Sequence, residues 1–325
     1  MLLDRFQREH TYLRVSVTDR CNFRCVYCMP AEGMDWMSRE DLLSYEEIAR
    51  LVGVFAALGV RRVRLTGGEP LIRRDLEVLV EALGRIPALD DIALTTNAHR
   101  LDGCAQQLKD AGLTRLNVSL DSLQPERFSQ LTRGGSLKKV IAGIEAAQAA
   151  GLGPIKINAV ILRGENDDEV EDLVEFFSQA PDVYVLRFIE YMPFGTRRHV
   201  TVPALELRER IASRWTLEPY GGWLGDGPAK NWKIAETGLR VGFISPLSEK
   251  FCAGCNRLRL MADGHLRTCL SDDGTPSLRD LLRGGASDED LGAAIRAMVM
   301  NKIEGHQALV EGGKSFEGVM TRIGG

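Results

Sequence analysis

The chain has 325 residues, a formal net charge of −4 and a hydrophobic fraction of 44%, as expected for a globular protein of two domains or of one barrel with an appendage. Its weak acidity argues against bulk attraction to nucleic acid or to anionic membrane lipid, so any anionic ligand must be held by local basic groups. No apolar run is long enough to cross a membrane, and seven cysteines are too few for a disulfide scaffold, which together predict a soluble protein of the reducing cytoplasm.

The first two thirds of the chain alternate short β-branched runs with amphipathic stretches, in about six βα units. One helix start signal is the capping box Ser44-x-x-Glu47 before the apolar Ile48. Repeated βα units predict a parallel sheet with right-handed crossovers, either a partial barrel or an open doubly wound sheet. The predicted strands are Tyr12–Val17, Arg61–Leu65, Asp91–Thr95, Arg115–Leu120, Ile155–Ile161 and Val183–Ile189.

Polar residues alternate with apolar ones along four of these strands. A parallel strand that is covered on both faces is normally apolar throughout. Edge strands facing water would explain one or two such patterns but hardly four. If helices cover the apolar faces, the polar faces line a shared wet lumen, which favours a partial (βα)6 barrel that encloses a ligand. The polar positions are Tyr12, Arg14, Ser16, Arg62, Arg64, Asn117, Ser119, Asp121, Lys156 and Asn158.

The pattern changes after about residue 195, where proline and glycine become frequent. We therefore divide the chain into residues 1–195, the barrel, and residues 196–325, a smaller α+β module that closes the barrel mouth. The elements predicted in this module are strands at Asn231–Ile234, Leu239–Ile244, Arg257–Met261 and His265–Thr268 and helices near Leu278–Leu282 and Glu289–Met300.

Three cysteines follow the first predicted strand with the spacing Cys21-x3-Cys25-x2-Cys28. Thiolates this close can hold three corners of a cubane iron–sulfur cluster, which normally takes four cysteines. With three ligands, one iron keeps an open position, where chemistry can occur. A zinc site and a disulfide scaffold are the alternatives, but zinc requires a fourth ligand and this loop contains none.

This first triplet, with Tyr27 beside its last thiol, resembles the signature of the radical S-adenosylmethionine (SAM) enzymes. The segment Thr66-Gly67-Gly68-Glu69-Pro70 resembles the Gly-Gly-Glu-Pro turn of that family, although alone it would also serve as a simple βα turn. The resemblance implies that the open iron of a 4Fe–4S cluster chelates SAM and that an electron cleaves SAM to methionine and a 5′-deoxyadenosyl radical. It also implies SAM contacts for Tyr27, Gly68, Ser119 and Met192.

A second triplet lies in the C-terminal module, with the spacing Cys252-x2-Cys255-x13-Cys269. By spacing alone, a structural zinc site and a second cluster are about equally favoured, because His265 lies between two of the cysteines and would complete a tetrahedron of three cysteines and one histidine.

Two arginines follow this triplet at once. Arg257 and Arg259 alternate with Leu258 on a predicted strand, so both guanidiniums can point the same way, and two guanidiniums beside a metal suggest an anionic substrate. The segment Phe251–Leu260 resembles the GTP 3′,8-cyclases, a family of radical SAM enzymes, and the similarity extends over nearly the whole chain.

This narrower resemblance implies a lyase that converts GTP to (8S)-3′,8-cyclo-7,8-dihydroguanosine 5′-triphosphate, the first step of molybdenum-cofactor biosynthesis. In the family the second triplet holds a second 4Fe–4S cluster, whose open iron takes the guanine. The radical removes the ribose C3′ hydrogen, and the C3′ radical attacks C8 of the guanine. The terminal Gly324 and Gly325 would enter the active site and support radical transfer. GTP contacts are implied for Arg14, Arg64, Thr95, Lys156, Arg257, Leu258 and Arg259.

The resemblance also implies partners. A reductant protein such as a flavodoxin or a ferredoxin would supply electrons, and cyclic pyranopterin monophosphate synthase would take the product. A homodimer is one assembly that the sequence allows. Neither nucleic acid nor a membrane is expected as a partner.

Two other functions are alternatives at this stage. A radical SAM peptide-modifying enzyme also carries auxiliary clusters, but it would need a peptide groove and usually more than three C-terminal cysteines. An iron–sulfur electron carrier or redox sensor normally has fully ligated clusters, whereas each site here leaves one iron open.

Some residues receive no functional role. Ala98 stands where the cyclase family commonly has glycine, and His265 where lysine is frequent. His10 lacks the spacing of a metal ligand. Asp121 and Glu190 are expected to form hydrogen bonds with their neighbours rather than to act as acid and base.

Overall fold

One eleven-stranded sheet organises the computed structural model, which describes residues 1–193, 199–222, 224–225, 227–271 and 276–305. Gly324 and Gly325 therefore lie outside the described residues. The strands are β1 (Tyr12–Ser16), β2 (Arg62–Thr66), β3 (Asp91–Thr96), β4 (Arg115–Ser119), β5 (Ile155–Ile161), β6 (Tyr184–Glu190), β7 (Leu217–Pro219), β8 (Lys230–Ile234), β9 (Arg240–Ile244), β10 (Arg257–Leu260) and β11 (Leu266–Arg267). The helices are α1 (Tyr45–Ala57), α2 (Leu76–Gly84), α3 (Ala105–Asp110), α4 (Pro125–Thr132), α5 (Leu137–Ala149), α6 (Val170–Phe177), α7 (Ala204–Ala212), α8 (Leu278–Arg283) and α9 (Asp288–Met300).

The six predicted βα strands form the centre of the sheet. Strands β1 to β6 lie side by side in chain order and pair in parallel. Each agrees with its predicted bounds to within one residue. The two outermost described strands, β11 and β7, are not neighbours, so the sheet is open. The predicted partial barrel is therefore confirmed.

The C-terminal part of the chain extends this sheet at both edges. Strand β10 pairs in parallel with β1, and β9 pairs in parallel with β6. Strand β11 adds to β10, and β8 and β7 add to β9, all antiparallel. The predicted C-terminal strands and helices are present, while β7 and α7 were not predicted. Because the sheet runs through both parts, the division at residue 195 stays a prediction.

Alternation of side chains separates an apolar face of the sheet from a polar one. In β1 and β2, Leu13, Val15 and Val63 are fully buried in the hydrophobic core, and Arg14 and Arg64 alternate with them along the strands. Helices cover the apolar face, as the lumen interpretation requires.

The predicted capping box begins the first helix. Ser44 Oγ accepts a hydrogen bond from Glu47 N (3.2 Å), and Glu47 Oε2 accepts one from Ser44 N (2.7 Å). This reciprocal pair satisfies two donors that would otherwise be unpaired at the start of α1. Across the described ranges, no helix combines the length and apolar character needed to span a bilayer.

Candidate functional site

The residues predicted to bind SAM all follow the carboxyl ends of parallel strands. The first cysteine triplet follows β1, Gly68 follows β2, Ser119 ends β4 and Met192 follows β6. Carboxyl ends of parallel strands meet at one edge of a sheet. The fold therefore brings these separate segments to one place, and both Ser119 and Met192 are half-buried there.

The loop of the first triplet is tied to the barrel by its backbone. Arg24 N donates to Thr132 O (3.0 Å), and Val26 N donates to Leu131 O (2.9 Å). Both acceptors are at the end of α4. These bonds hold the loop in a fixed position, although none of its three cysteines is in a disulfide and all three are partly exposed.

The three thiols of this loop are close enough to repel each other as thiolates. Burial raises the pKa of Cys21 to about 12. Burial, followed by the neighbouring Cys28, Asp121 and Cys21, raises the pKa of Cys25 well above its usual range. Coordination to iron removes this penalty, because a coordinating thiol is deprotonated and its charge is neutralised. The donor set therefore fits a cluster held by three thiolates.

Tyr27 is fixed by a buried carboxylate. Its hydroxyl donates to Asp121 Oδ2 (2.7 Å), and Val160 N donates to Asp121 Oδ1 (2.8 Å). Burial raises the pKa of Asp121 to about 6. Asp121 thus serves as a hydrogen-bond partner, as expected, and so does Glu190, which accepts from Leu247 N (2.8 Å) and Ser248 N (2.9 Å).

The two glycines after β2 pack directly against the backbone that leads into the first triplet. Gly68 N donates to Thr18 O (2.8 Å). A Cβ on Gly67 would lie 2.4 Å from Thr18 O, and one on Gly68 would lie 2.1 Å from Arg20 O. No side chain fits at either position, so the turn and the cysteine loop are in backbone contact.

Glu69 belongs to the predicted glycine turn, but the sequence analysis gave it no role of its own. Its buried carboxylate accepts from Thr96 Oγ1 (2.7 Å), Asn97 N (2.7 Å) and Leu71 N (3.0 Å). Burial raises its pKa to about 7. It joins the glycine turn after β2 to the end of β3.

Arginines occupy neighbouring positions on the polar face of β10, β1 and β2. Arg14 is the strand partner of Arg64 on one side and of Arg259 on the other, and Arg257 is the partner of Tyr12. Burial and then the charges of Arg259 and Arg64 lower the pKa of Arg14 well below its ordinary value. Buried like charges repel each other unless an anion lies among them. This face is therefore suited to an anionic ligand.

Two further cations extend this basic face. Burial and Arg187 lower the pKa of Lys156 to about 6. Arg187, in β6, is 4% exposed and donates to Asn117 Oδ1 (2.6 Å), and burial and Arg64 lower its pKa to about 9. The sequence analysis did not identify Arg187 as part of this face. The signal that could have identified it is a single arginine inside the apolar run Val183–Ile189.

The other two predicted GTP contacts differ from each other. Thr95 is half-buried near the end of β3, and its Oγ1 accepts from Asn117 Nδ2 (3.3 Å), on the same polar face. The side chain of Leu258 lies in the hydrophobic core on the opposite face, so only its backbone is available to a ligand in the lumen.

The second triplet surrounds the start of β10. Cys252 lies in a short 3-10 turn, Cys255 precedes β10, and Cys269 follows β11. His265 Nδ1 lies 3.1 Å from Asp263 Oδ1. Cys252, Cys255 and Cys269 are all partly exposed and none of them is in a disulfide.

A buried lysine lies among these cysteines. Lys302 is 2% exposed, and its Nζ lies 3.9 Å from Cys255 Sγ and donates to Arg257 O (2.8 Å) and to Thr268 O. Burial alone would raise the pKa of the Cys255 thiol, but the charges of Arg257 and Lys302 lower it. A thiol with a stabilised thiolate is a good metal ligand, so this triplet also fits a cluster.

Comparisons with known proteins show what the whole chain is similar to. The model of the Radical SAM superfamily matches residues 15–177, and the model named Molybdenum Cofactor Synthesis C matches residues 184–308. A GTP 3′,8-cyclase of Moorella thermoacetica is 46% identical over 99% of this chain and 99% of its own length. A GTP 3′,8-cyclase of Pseudomonas syringae is 45% identical over 100% of this chain and 99% of its own length.

Among solved structures, the chain is similar to SuiB of Streptococcus suis. The SAM-bound form gives a TM-score of 0.62 at 16% identity, covering 97% of this chain and 77% of that one. The form bound to the precursor peptide SuiA gives a TM-score of 0.63 at 16% identity, covering 96% and 75%. At such identity the likeness shows the fold alone, the partial barrel of radical SAM proteins.

Proposed function

Because the chain belongs to the radical SAM superfamily and, within it, to the GTP 3′,8-cyclase family, we propose how its residues divide the work of this reaction. The reaction converts GTP to (8S)-3′,8-cyclo-7,8-dihydroguanosine 5′-triphosphate, the first step of molybdenum-cofactor biosynthesis. The assignment to the lyases, the count of two 4Fe–4S clusters and the role of each residue are parts of the proposal.

The observation that carries the proposal is the pairing of β1 with β10. Strand β1 leads into the first cysteine triplet at its carboxyl end, and β10 begins at Arg257, two residues after Cys255 of the second. Since the two strands are parallel and in register, the triplets lie at opposite ends of one strand pair. Strand β1 has five residues, so the separation along it is about 16 Å at ~3.3 Å per residue.

The edge of the sheet at the first triplet binds SAM. When bound, the clusters and SAM supply the radical that removes the C3′ hydrogen and an open iron for the guanine. Tyr27, Gly68, Ser119 and Met192 orient SAM, and the Tyr27 ring is held by Asp121 at 2.7 Å. The orientation of SAM relative to the substrate matters most here, because a primary carbon radical has no selectivity of its own and reacts with any nearby group.

The basic face of the lumen binds GTP. Arg257 and Arg259 are adjacent to the second triplet and orient the nucleotide beside it. Lys156 and Arg187, on β5 and β6, balance the charge of the phosphates. Burial and, after it, neighbouring cations lower the pKa values of both groups, and a triphosphate beside them would stabilise their charged forms.

Binding measurements with two alanine variants test the GTP site. Arg64→Ala and Lys156→Ala each remove a charge-assisted bond and should weaken GTP binding by ~1–3 kcal/mol, which is about 5–150-fold in Kd. Cleavage of SAM without GTP should persist in both. Arg61→Ala is the control, because Arg61 directly precedes β2 but its side chain is 62% exposed. Wild-type GTP affinity in both variants would mean that these side chains do not line the site.

No contact among the described residues supports the remaining assignments. We propose that Gly324 and Gly325 support radical transfer, although they lie outside the described residues. The reductant protein, the transfer of product to cyclic pyranopterin monophosphate synthase, the homodimer and the cytoplasmic location stay predictions. The alternative of a peptide-modifying enzyme is supported only by the fold that the chain shares with SuiB.

A further inference from the structure

The side chain of Lys302 reaches the second cysteine triplet from the end of α9. Lys302 is 2% exposed, and its backbone N donates to Val299 O (3.0 Å), in the last turn of the helix. The helix is itself anchored, because Leu291, Ile295 and Val299 are fully buried in the hydrophobic core. A lysine that extends from a packed helix has a fixed starting point for its side chain.

The Lys302 ammonium has three acceptors around the triplet. Nζ donates to Arg257 O (2.8 Å) and to Thr268 O, and it forms a long N–H···S hydrogen bond, of 3.9 Å, with Cys255 Sγ. An ammonium has three donors and no acceptor, so these neighbours use it completely. Arg257 begins β10, and Thr268 directly precedes Cys269. Lys302 therefore joins the two segments that carry Cys255 and Cys269.

The positive charge of Lys302 is buried beside thiols rather than beside carboxylates. Within the described ranges, its hydrogen-bond partners are two backbone carbonyls and one thiol. Lysine is almost never fully buried unless it is paired, because a buried charge without a partner is costly. The anion available here is the triplet, whose thiols lose their protons when they bind a metal. The burial of Lys302 therefore fits a negatively charged group held by these cysteines.

The remaining cysteine of the triplet is held by a second buried cation, whose charge already has a partner. Arg8 Nη1 donates to Cys252 O (2.9 Å) and to Glu304 O (2.6 Å), and Nη2 donates to Ile303 O (2.8 Å). Asp4 Oδ2 accepts from Arg8 Nε (2.7 Å). Arg8 thus fixes the backbone at Cys252 and in the segment after the buried lysine, while Asp4 balances its charge.

We propose that Lys302 is the counter-charge of the second cluster, holding Cys255 and Cys269 at their spacing and raising the reduction potential of the cluster. This inference rests on the proposed function, because it takes the triplet as a cluster site. Net charge and hydrogen bonds to the sulfurs set the potential of such a cluster. A buried cation beside a thiolate ligand favours the reduced form, which is the more negative one. Lys302 is a positioning residue that acts through Cys255 and touches no substrate.

The test compares Lys302→Met with Lys250→Met in the full-length chain, reconstituted anaerobically with iron and sulfide. Methionine fills the volume of the lysine stem and removes the donors and the charge. Lys250 is the matched control, because it lies two residues before Cys252 but is exposed. The readouts are iron per chain and the reduction potential of the second cluster, followed by electron paramagnetic resonance. The potential is measured in chains whose first triplet is replaced by alanine, so that only one cluster titrates.

The potential should fall in Lys302→Met and stay at the wild-type value in Lys250→Met. A hydrogen bond to a charged group changes an equilibrium by about tenfold or more. At a fixed applied potential, the ratio of reduced to oxidised cluster in Lys302→Met should therefore decrease about tenfold, which is ~59 mV for a one-electron couple. Iron should decrease by no more than the share of the second cluster. With the first triplet intact, SAM cleavage without GTP should persist, which shows that the barrel is folded.

A wild-type potential in Lys302→Met would overturn the inference, and so would equal shifts in Lys302→Met and Lys250→Met. Complete loss of the second cluster from Lys302→Met, with SAM cleavage preserved, would support it, because methionine keeps the packing of the stem and lacks only the ammonium. A wild-type chain that binds no iron at the second triplet would reject the second cluster of the proposed function, and this inference with it. Iron analysis of the wild type shows that outcome before any lysine is changed.

Discussion

Replacing Gly68 with alanine should disable the first cluster site and leave the second intact. The new Cβ would lie 2.1 Å from Arg20 O and 2.6 Å from Asp19 O, whereas ordinary contacts begin at 3.4 Å. The Arg20 carbonyl, next to Cys21, must therefore retreat by about 1.3 Å, the difference between 3.4 and 2.1 Å. Such overpacking costs ~1–3 kcal/mol, and loss of the bond from Glu69 N to Arg20 O (2.8 Å) adds about 1 kcal/mol.

This cost is smaller than the stability of a typical domain, about 5–15 kcal/mol, so the variant should fold. A misplacement near 1 Å is enough to reduce catalysis about 100-fold. We therefore expect a decrease of at least that size in SAM cleavage without GTP, with partial loss of iron. The control is Gly53→Ala in α1, where an added Cβ meets no atom within 4 Å and should stabilise the helix by ~0.5–1 kcal/mol.

The assay is 5′-deoxyadenosine formation with dithionite as reductant, run beside iron analysis and chemical unfolding of each variant. Wild-type SAM cleavage and iron content in Gly68→Ala would refute the reasoning, because the turn would then tolerate a side chain against the cysteine loop. Equal losses in Gly68→Ala and Gly53→Ala would contradict it as well, since only one of the two positions is crowded.

Three further predictions concern other parts of the chain. Replacing the second triplet with alanine should roughly halve the iron content and preserve SAM cleavage; one zinc per chain in the wild type, together with iron from a single cluster, would show that His265 and these cysteines form a zinc site. Deleting the terminal diglycine should reduce product formation far more than GTP binding, and wild-type turnover of the deletion variant would exclude a role for the tail. Burial lowers the pKa of His10 from 6.5 to about 4, so protonation favours the unfolded chain and the free energy of unfolding should fall as the pH decreases from about 6.5 to about 4. In His10→Gln, the free energy of unfolding measured by urea titration should depend less on pH over this range. An unchanged pH dependence would mean that a group other than His10 causes it.

Local sequence patterns were enough to predict the barrel strands. The β-branched runs of β1 to β6 are bounded by turn residues and helix signals, and each strand falls within one residue of its prediction. The pairing of β10 with β1 and of β9 with β6 was not predictable in this way. These pairings join residues far apart in the chain, and long-range pairing leaves no mark on local periodicity.

The site was predictable to the extent that motifs define it. The cysteines and the arginines on alternating strand positions were found from spacing and resemblance, and the structure places Arg14, Arg64 and Arg259 side by side. Lys302 and Arg8 were missed because each contacts the second triplet only in the folded chain. Lys302 Nζ lies 3.9 Å from Cys255 Sγ. Arg8 donates to Cys252 O, which is 244 positions away in the sequence. No pattern in the neighbourhood of either residue encodes such a contact.

The structure also shows the backbone conformation at one position where the chain departs from the family pattern. Ala98 has a φ of 58°, in the left-handed region where glycine is free of strain and other residues pay roughly 1–2 kcal/mol. That backbone geometry favours glycine at this position. Ala98 follows β3, and it is not among the residues assigned to a ligand.

The most direct test of the cyclase assignment follows deuterium placed at C3′ of GTP. The protein is incubated anaerobically with SAM, dithionite and the labelled GTP, and both the adenosine product and the nucleotide are analysed by mass. The C3′–deuterium bond should break and a C3′–C8 bond should form, with one electron and one proton completing the nucleotide. Deuterium should therefore appear in 5′-deoxyadenosine, and the cyclised nucleotide should be an isomer of GTP that has lost the label. Unlabelled 5′-deoxyadenosine, with the deuterated GTP recovered unchanged, would contradict the assignment.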